Sequence, residues 1–153
     1  MADGGSGADC PRLEIYVHDE HELPPEFDLD LVEKICSGAA GEVSGLMRPG
    51  APLADLDVIE VTLVSDEVIA RVHVDFMEIE GATDVITFDH GEIVISTDTA
   101  KVQGAENGKS TEHETALYIV HGLLHLAGYA DKSDDEFREM ARLQEDLLSR
   151  LIG

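Results

Sequence analysis

Two short β-branched runs, residues 83–88 (TDVITF) and 92–96 (EIVIS), stand three residues apart, and the Asp89-His90-Gly91 between them is a turn-forming spacer. That arrangement reads as a hairpin. Residues 12–18 (RLEIYVH) alternate Leu13, Ile15 and Val17 against polar neighbours, and residues 57–64 (DVIEVTLV) alternate again. Both read as strands buried on one face.

Helical periods fill the intervals. Over residues 28–47, Leu29, Val32, Ile35, Ala39, Val43 and Leu46 recur at spacings of three or four, an amphipathic helix that Pro49-Gly50 ends. Ser65, with Asp66 and Glu67 behind it, starts a helix to about Phe76, and residues 98–107 read as a short helix stopped by Gly108. Thr111 with Glu114 forms a capping box opening a helix through about Ala127, which Gly128 stops. Ser133 with Glu136 forms a second box for a final helix to about Leu151, whose Phe137, Met140, Leu143, Leu147 and Leu151 form a core stripe. Helices and strands mixed without strict alternation imply an α+β fold, with about four strands and four or five helices.

A chain of 153 residues with 43% hydrophobic content supports one core, hence one domain over residues 12–153. Residues 1–11 are mostly Gly, Ser, Ala and Asp and are expected to form a disordered tail. No run approaches the roughly 18 to 20 apolar residues of a membrane helix, and the N-terminus has neither a basic start nor an apolar h-region. A soluble, unexported, cytoplasmic protein is expected. The two cysteines, Cys10 and Cys36, make no disulfide framework and suit a reducing compartment. Thirty-three acidic residues against 10 basic ones give a net charge of −23, which on electrostatics alone repels nucleic acid and anionic membranes.

The segment from Tyr118 to Asp131 (YIVHGLLHLAGYAD) carries the chemistry. His121 and His125, four apart, lie on one helix face one turn from each other, so their imidazoles can converge on one divalent ion. Gly128 can take the left-handed conformation that reverses the chain, which lets Asp131 swing back as a third ligand. The spacing matches the layout of metzincin-type zinc sites, but the general-base glutamate that follows the first histidine in those proteases is here Gly122. Peptidase chemistry is therefore not expected. Gly122 lowers helix stability by roughly 1 kcal/mol against Ala, which suggests close approach of a substrate or neighbouring backbone. The plainer alternatives stay open: the histidines as ordinary polar residues of a half-buried helix, and Asp131 as a solvated turn residue. Glu114, seven residues before His121, is either the closing half of its capping box or a candidate catalytic base. His73, His90 and His113 are further histidines that can approach the cleft, though scattered histidines are more often surface residues.

With His121, Gly122, Leu124, His125, Leu126, Gly128 and Tyr129, the chain resembles the YbeY family of bacterial rRNA-maturation endoribonucleases. The resemblance continues upstream through Thr83-Asp84-Val85, Phe88, Gly91 to Ser96, Ala100, Gln103, Gly108, Ser110 and Glu114, covering roughly residues 57–150. It implies a small α+β domain with the metal helix packed on a mixed sheet, and a metal, usually taken as zinc, bound by three histidines. Here Ala130 and Asp131 stand where the family has Asp and His. A carboxylate is a harder ligand than imidazole, so manganese, iron or another oxygen-tolerant metal stands open beside zinc, the ion expected first. Met77 stands where many members carry a phosphate-engaging arginine. The resemblance implies a metal-dependent endoribonuclease acting on single-stranded ribosomal RNA, with the small ribosomal subunit as partner. Met77, Ala130 and the acidity motivate two alternatives: a non-catalytic ribosome-assembly factor with a structural metal, and a metal-dependent hydrolase of a neutral or cationic substrate.

Overall fold

The computed structural model describes residues 11–18, 21–77, 85–130 and 132–152, with the side chains of 73–77 outside that description. Its strands are β1 (Arg12–Val17), β2 (Val58–Val64), β3 (Val85–Phe88) and β4 (Glu92–Ser96). Its helices are α1 (Leu29–Ser44), α2 (Asp66–Met77), α3 (Thr97–Glu106), α4 (Thr111–Leu126) and α5 (Asp134–Ile152), with one 3-10 turn at Pro52–Asp55.

The expected hairpin is present, with β3 antiparallel to β4 and Gly91 at the turn with φ 103°. A Cβ on Gly91 would also lie 3.0 Å from the Val58 carbonyl oxygen of β2, so glycine serves both the turn and the close approach. The sheet order is β1-β2-β4-β3, with β1, β2 and β4 mutually parallel. This is the mixed four-stranded sheet expected, in an α+β domain with five α-helices among the described residues.

Strand alternation sorts the side chains into two cores. Ile59, Val61, Leu63, Ile93 and Ile95 join a large core with α1, α4 and α5 on one face, and Leu13, Ile15 and Val17 of β1 pack against it. On the other face Val64, Ile86 and Val94 meet Val68 and Ile69 of α2 in a smaller one. The outer face of β1 is polar, where Glu14 accepts hydrogen bonds from Arg12 and Tyr16. Pro11, expected in the tail, is buried just before β1; residues 1–10, Cys10 included, lie outside the described residues. Cys36 is buried in α1, where desolvation pushes its thiol pKa far above the usual range.

Helix boundaries follow side-chain caps. Asp28 accepts from Leu31 N, Ser65 from Val68 N and Ser96 from Thr99 N. Ser133 and Glu136 form the reciprocal box anticipated for α5, with Ser133 N donating to Glu136 Oε1 at 3.0 Å and Glu136 N to Ser133 Oγ at 3.1 Å. The box anticipated at Thr111 is replaced. Ser110 caps α4 by accepting from His113 N, which leaves Glu114 one position too far along to close the cap. The stripe on α5 holds at Met140 and Leu147, joined by Leu148, with Leu143 and Leu151 half-buried against the core. Phe137, anticipated in that core, is 61% exposed, because it lies in the first turn of α5 where the core packing runs out. Among the described residues no helix is long and apolar enough to cross a membrane.

Candidate metal centre

Helix α4 lies at the heart of the large core and packs on α1, α3, α5 and the β3–β4 hairpin. Leu123, Leu124 and Leu126 are fully buried, each contributing roughly 1.5–3 kcal/mol of hydrophobic stabilisation. After its first turn the helix is buried all round except along the line Leu117, His121 and His125. Both histidines of the motif thus sit on the one stripe of α4 that opens toward solvent, His121 half-buried and His125 exposed.

His121 forms part of the wall of a pocket of about 290 Å³ whose lining includes Val85, Leu117, Phe137, Met140 and Gln144. Its Nδ1 lies 2.6 Å from Gln144 Oε1 across the α4–α5 groove. The ring nitrogens of His125 have no hydrogen-bond partner among the described residues. Two imidazoles one turn apart on the accessible stripe fit a borderline-soft divalent ion as donors. Among the described residues no group of three His, Cys, Asp or Glu side chains is arranged to hold a metal. The third ligand anticipated from the sequence, Asp131, lies outside the described residues.

Gly122 faces away from this stripe. A Cβ there would lie 2.8 Å from Ile93 Cδ1 and 3.0 Å from Thr87 Oγ1, so the close approach concerns side chains of the β3–β4 hairpin rather than a substrate. A glutamate at this position would run into the sheet.

The end of α4 is closed by a Schellman motif, in which Tyr129 N donates to Leu124 O at 3.0 Å and Gly128 N to His125 O at 3.1 Å, with Gly128 at φ 102°. The segment after α1 secures this turn. Arg48 N donates to Ala127 O, Tyr129 Oη to Leu46 O at 2.9 Å, and the Arg48 guanidinium sits 4.0 Å from the Tyr129 ring centroid. A Cβ on Gly128 would also meet Arg48 Cβ at 3.0 Å. Gly128→Ala is expected to lower the unfolding free energy by about 1–2 kcal/mol through the left-handed backbone alone, read by urea denaturation.

Glu114 lies two turns upstream, about 10 Å along the axis. It is 4% exposed and lines a separate groove of about 770 Å³ with Lys109, His113, Gln144 and Glu145. His113 Nδ1 is buried there without a hydrogen bond, and its pKa is lowered first by burial and then by Lys109. Glu114 and His121 therefore belong to different pockets, which Gln144 joins by lining both. His90, at the hairpin turn, stacks on Phe88 and contacts Glu92 at 3.1 Å; the side chains of His73 and Met77 lie outside the described residues.

Sequence reasoning missed Gln144 and the position of Phe137. A signal for Gln144 existed: it interrupts the apolar stripe between Met140 and Leu147, and a polar residue on a core-facing stripe needs a partner.

A model of one protein family, described as endoribonuclease YbeY, matches residues 30–152. The chain belongs to the YbeY family. An endoribonuclease YbeY from Heliobacterium modesticaldum is 32% identical over 168 aligned positions, covering 92% of this chain and 96% of the relative. One from Kineococcus radiotolerans is 34% identical over 153 positions, covering 89% and 85%. The solution structure of a Thermotoga maritima protein superposes with a TM-score of 0.62 at 23% identity, over 91% of this chain and 88% of that one, and supports the fold. The YbeY resemblance read from the histidine motif and the hairpin residues is thus confirmed over most of the chain.

Proposed function

We propose that this chain is a metal-dependent endoribonuclease that cuts single-stranded RNA, with ribosomal RNA as its substrate in ribosome assembly. The observation that carries the reading is the pair His121 and His125 on the accessible stripe of α4, in a chain of the endoribonuclease YbeY family. His121 and His125, with Asp131, would hold one divalent ion, zinc by family likeness. Bound there, the ion supplies Lewis-acid stabilisation of the phosphodiester and a more acidic water. The chain's own part is to hold the imidazoles on a helix fixed by its core leucines and by the Schellman turn. The site lies at a groove between α4 and α5, in which Phe137 offers an exposed ring.

The test is cleavage of an end-labelled RNA containing single-stranded and duplex segments by the metal-loaded chain. Cuts confined to single-stranded segments and abolished by chelation are expected; a folded, metal-loaded chain that leaves the RNA intact contradicts the proposal.

The charge of −23 adds a second expectation. Because chain and RNA repel, raising ionic strength from about 0.01 M to 0.1 M, which shortens the Debye length from about 30 to about 10 Å, is expected to lower KM severalfold. A cationic RNA-binding surface would give the opposite slope through counterion release. The same acidity favours a second reading, a non-catalytic ribosome-assembly factor with a structural metal. That reading requires co-sedimentation with ribosomal particles without cleavage.

A further inference from the structure

We propose that Phe137 is a stacking platform for one unpaired base of the RNA, and that the pocket it borders selects single strands. The inference rests on the endoribonuclease reading above and names the subsite that takes a base of that substrate. Phe137, Met140 and Gln144 recur at spacings of three and four, which puts them on one face of α5. That face lines the pocket of about 290 Å³, to which α4 contributes Leu117 and His121 and the hairpin Val85. Met140 is the buried end of the stripe at 2% exposure, and Phe137 is its open end at 61%. A lone apolar side chain on a surface is ordinary, but this ring borders the cleft that holds a histidine of the candidate metal site. Of the other large apolar side chains exposed among the described residues, Tyr16, Leu31, Val102 and Ile152, none borders that pocket. A volume at the lower edge of the roughly 300–1,000 Å³ typical of small-molecule pockets suits one planar base rather than a run of nucleotides.

Electrostatics decides which part of a nucleotide faces Phe137. The residues just before it, Asp134, Asp135 and Glu136, are all acidic and the whole chain carries −23, so a phosphate is repelled from this end of α5. A base is uncharged and has two π faces. Laying one of them on a phenyl ring contributes binding that needs no cation and that salt does not screen. A chain with 10 basic residues against 33 acidic ones gains affinity for RNA most readily from such a contact. The same contact selects the state of the strand. Inside a duplex both faces of a base are covered by its neighbours, and extruding it costs unpairing and unstacking energy that an already unpaired base largely avoids.

The chain contains no tryptophan, so Phe137→Trp places a single indole on the proposed platform. Binding is read on the full, metal-free chain, which keeps the RNA intact and the result independent of the ion; cleavage is read on the zinc-loaded chain. The probes are a single-stranded RNA oligomer, its duplex, and the oligomer made abasic at successive positions. The single strand is expected to quench the indole saturably and the duplex to leave it unchanged, with the quenching relieved when the stacked nucleotide is the abasic one. Phe137→Leu keeps apolar bulk without a π face and should weaken single-strand binding, followed by fluorescence anisotropy, by roughly tenfold. It should raise KM for cleavage by the same factor and leave kcat within about twofold, as for a contact made equally in the ground and transition states. Circular dichroism checks that the variants are folded. Equal quenching by duplex and single strand, no quenching by either, or a folded Phe137→Leu that binds single-stranded RNA as wild type does, would overturn the proposal. Single-strand quenching in a chain that never cleaves when metal-loaded would support the platform and overturn the endoribonuclease reading. Single-strand cleavage with KM unchanged in Phe137→Leu would overturn the platform and leave that reading standing.

Discussion

His121→Ala is expected to lower kcat/KM for metal-dependent RNA cleavage by roughly a thousandfold while the chain stays folded. On the proposed metal reading, removing one of the two imidazoles on α4 would release the ion, and an ion acting on a phosphodiester provides several kcal/mol of transition-state stabilisation. About 4 kcal/mol corresponds to that factor. The fold should survive because the stability of α4 rests on Leu123, Leu124 and Leu126, all fully buried, whereas His121 is half-exposed at a pocket wall. Single-turnover cleavage with far-ultraviolet circular dichroism on the same sample checks both halves. A folded variant retaining activity within about tenfold of wild type would place the chemistry elsewhere.

Gly122→Val is expected to act on stability instead, by about 1–3 kcal/mol, the usual range for overpacking a filled interior. Its Cβ would fall 2.8 Å from Ile93 Cδ1, and the branched methyls would press further into Ile93 and Thr87 of the hairpin. Valine's better helix propensity returns only a few tenths of a kcal/mol. Gly122→Ala is the informative control. It adds only the Cβ, displaces the flexible end of Ile93, and gains about 1 kcal/mol of propensity, so it should stay within about 1 kcal/mol of wild type. Urea titration of the three proteins gives the differences. A valine variant as stable as wild type would mean that α4 and the hairpin are less tightly packed than the distances state.

The fold was legible wherever one local rule acted without a competitor. Period-two alternation placed β1 and β2, the β-branched runs on either side of Asp89-His90-Gly91 placed the hairpin of β3 and β4, and Ser133 with Glu136 placed the start of α5. At the start of α4 two adjacent residues are both good caps, so composition alone could not choose Ser110 over Thr111. Periodicity identified the apolar stripe of α5 but not where its partner ends, and Phe137 falls beyond that point. Strand order was not legible, since the parallel pairing of β2 with β4, which leaves β3 at the sheet edge, depends on packing across the sheet.

What the structure shows of the candidate site lies on a single helix: the spacing of His121 and His125 predicts a shared face, and both stand on the accessible stripe of α4. Gln144 arrives from another helix, 23 residues along, and no short motif connects it to His121. Gly122 was noticed for its missing side chain but assigned to a substrate or backbone neighbour, because nothing local reveals that Ile93 and Thr87 fill the space.

The most direct test of a metal-centred site is metal stoichiometry by elemental mass spectrometry on protein purified without a histidine tag, for wild type, His125→Ala and Asp131→Ala. About one divalent ion per chain is expected in wild type, lost in His125→Ala and weakened in Asp131→Ala, as for a site with three protein ligands. No bound ion in wild type, even after reconstitution with zinc, manganese or iron, would contradict the account.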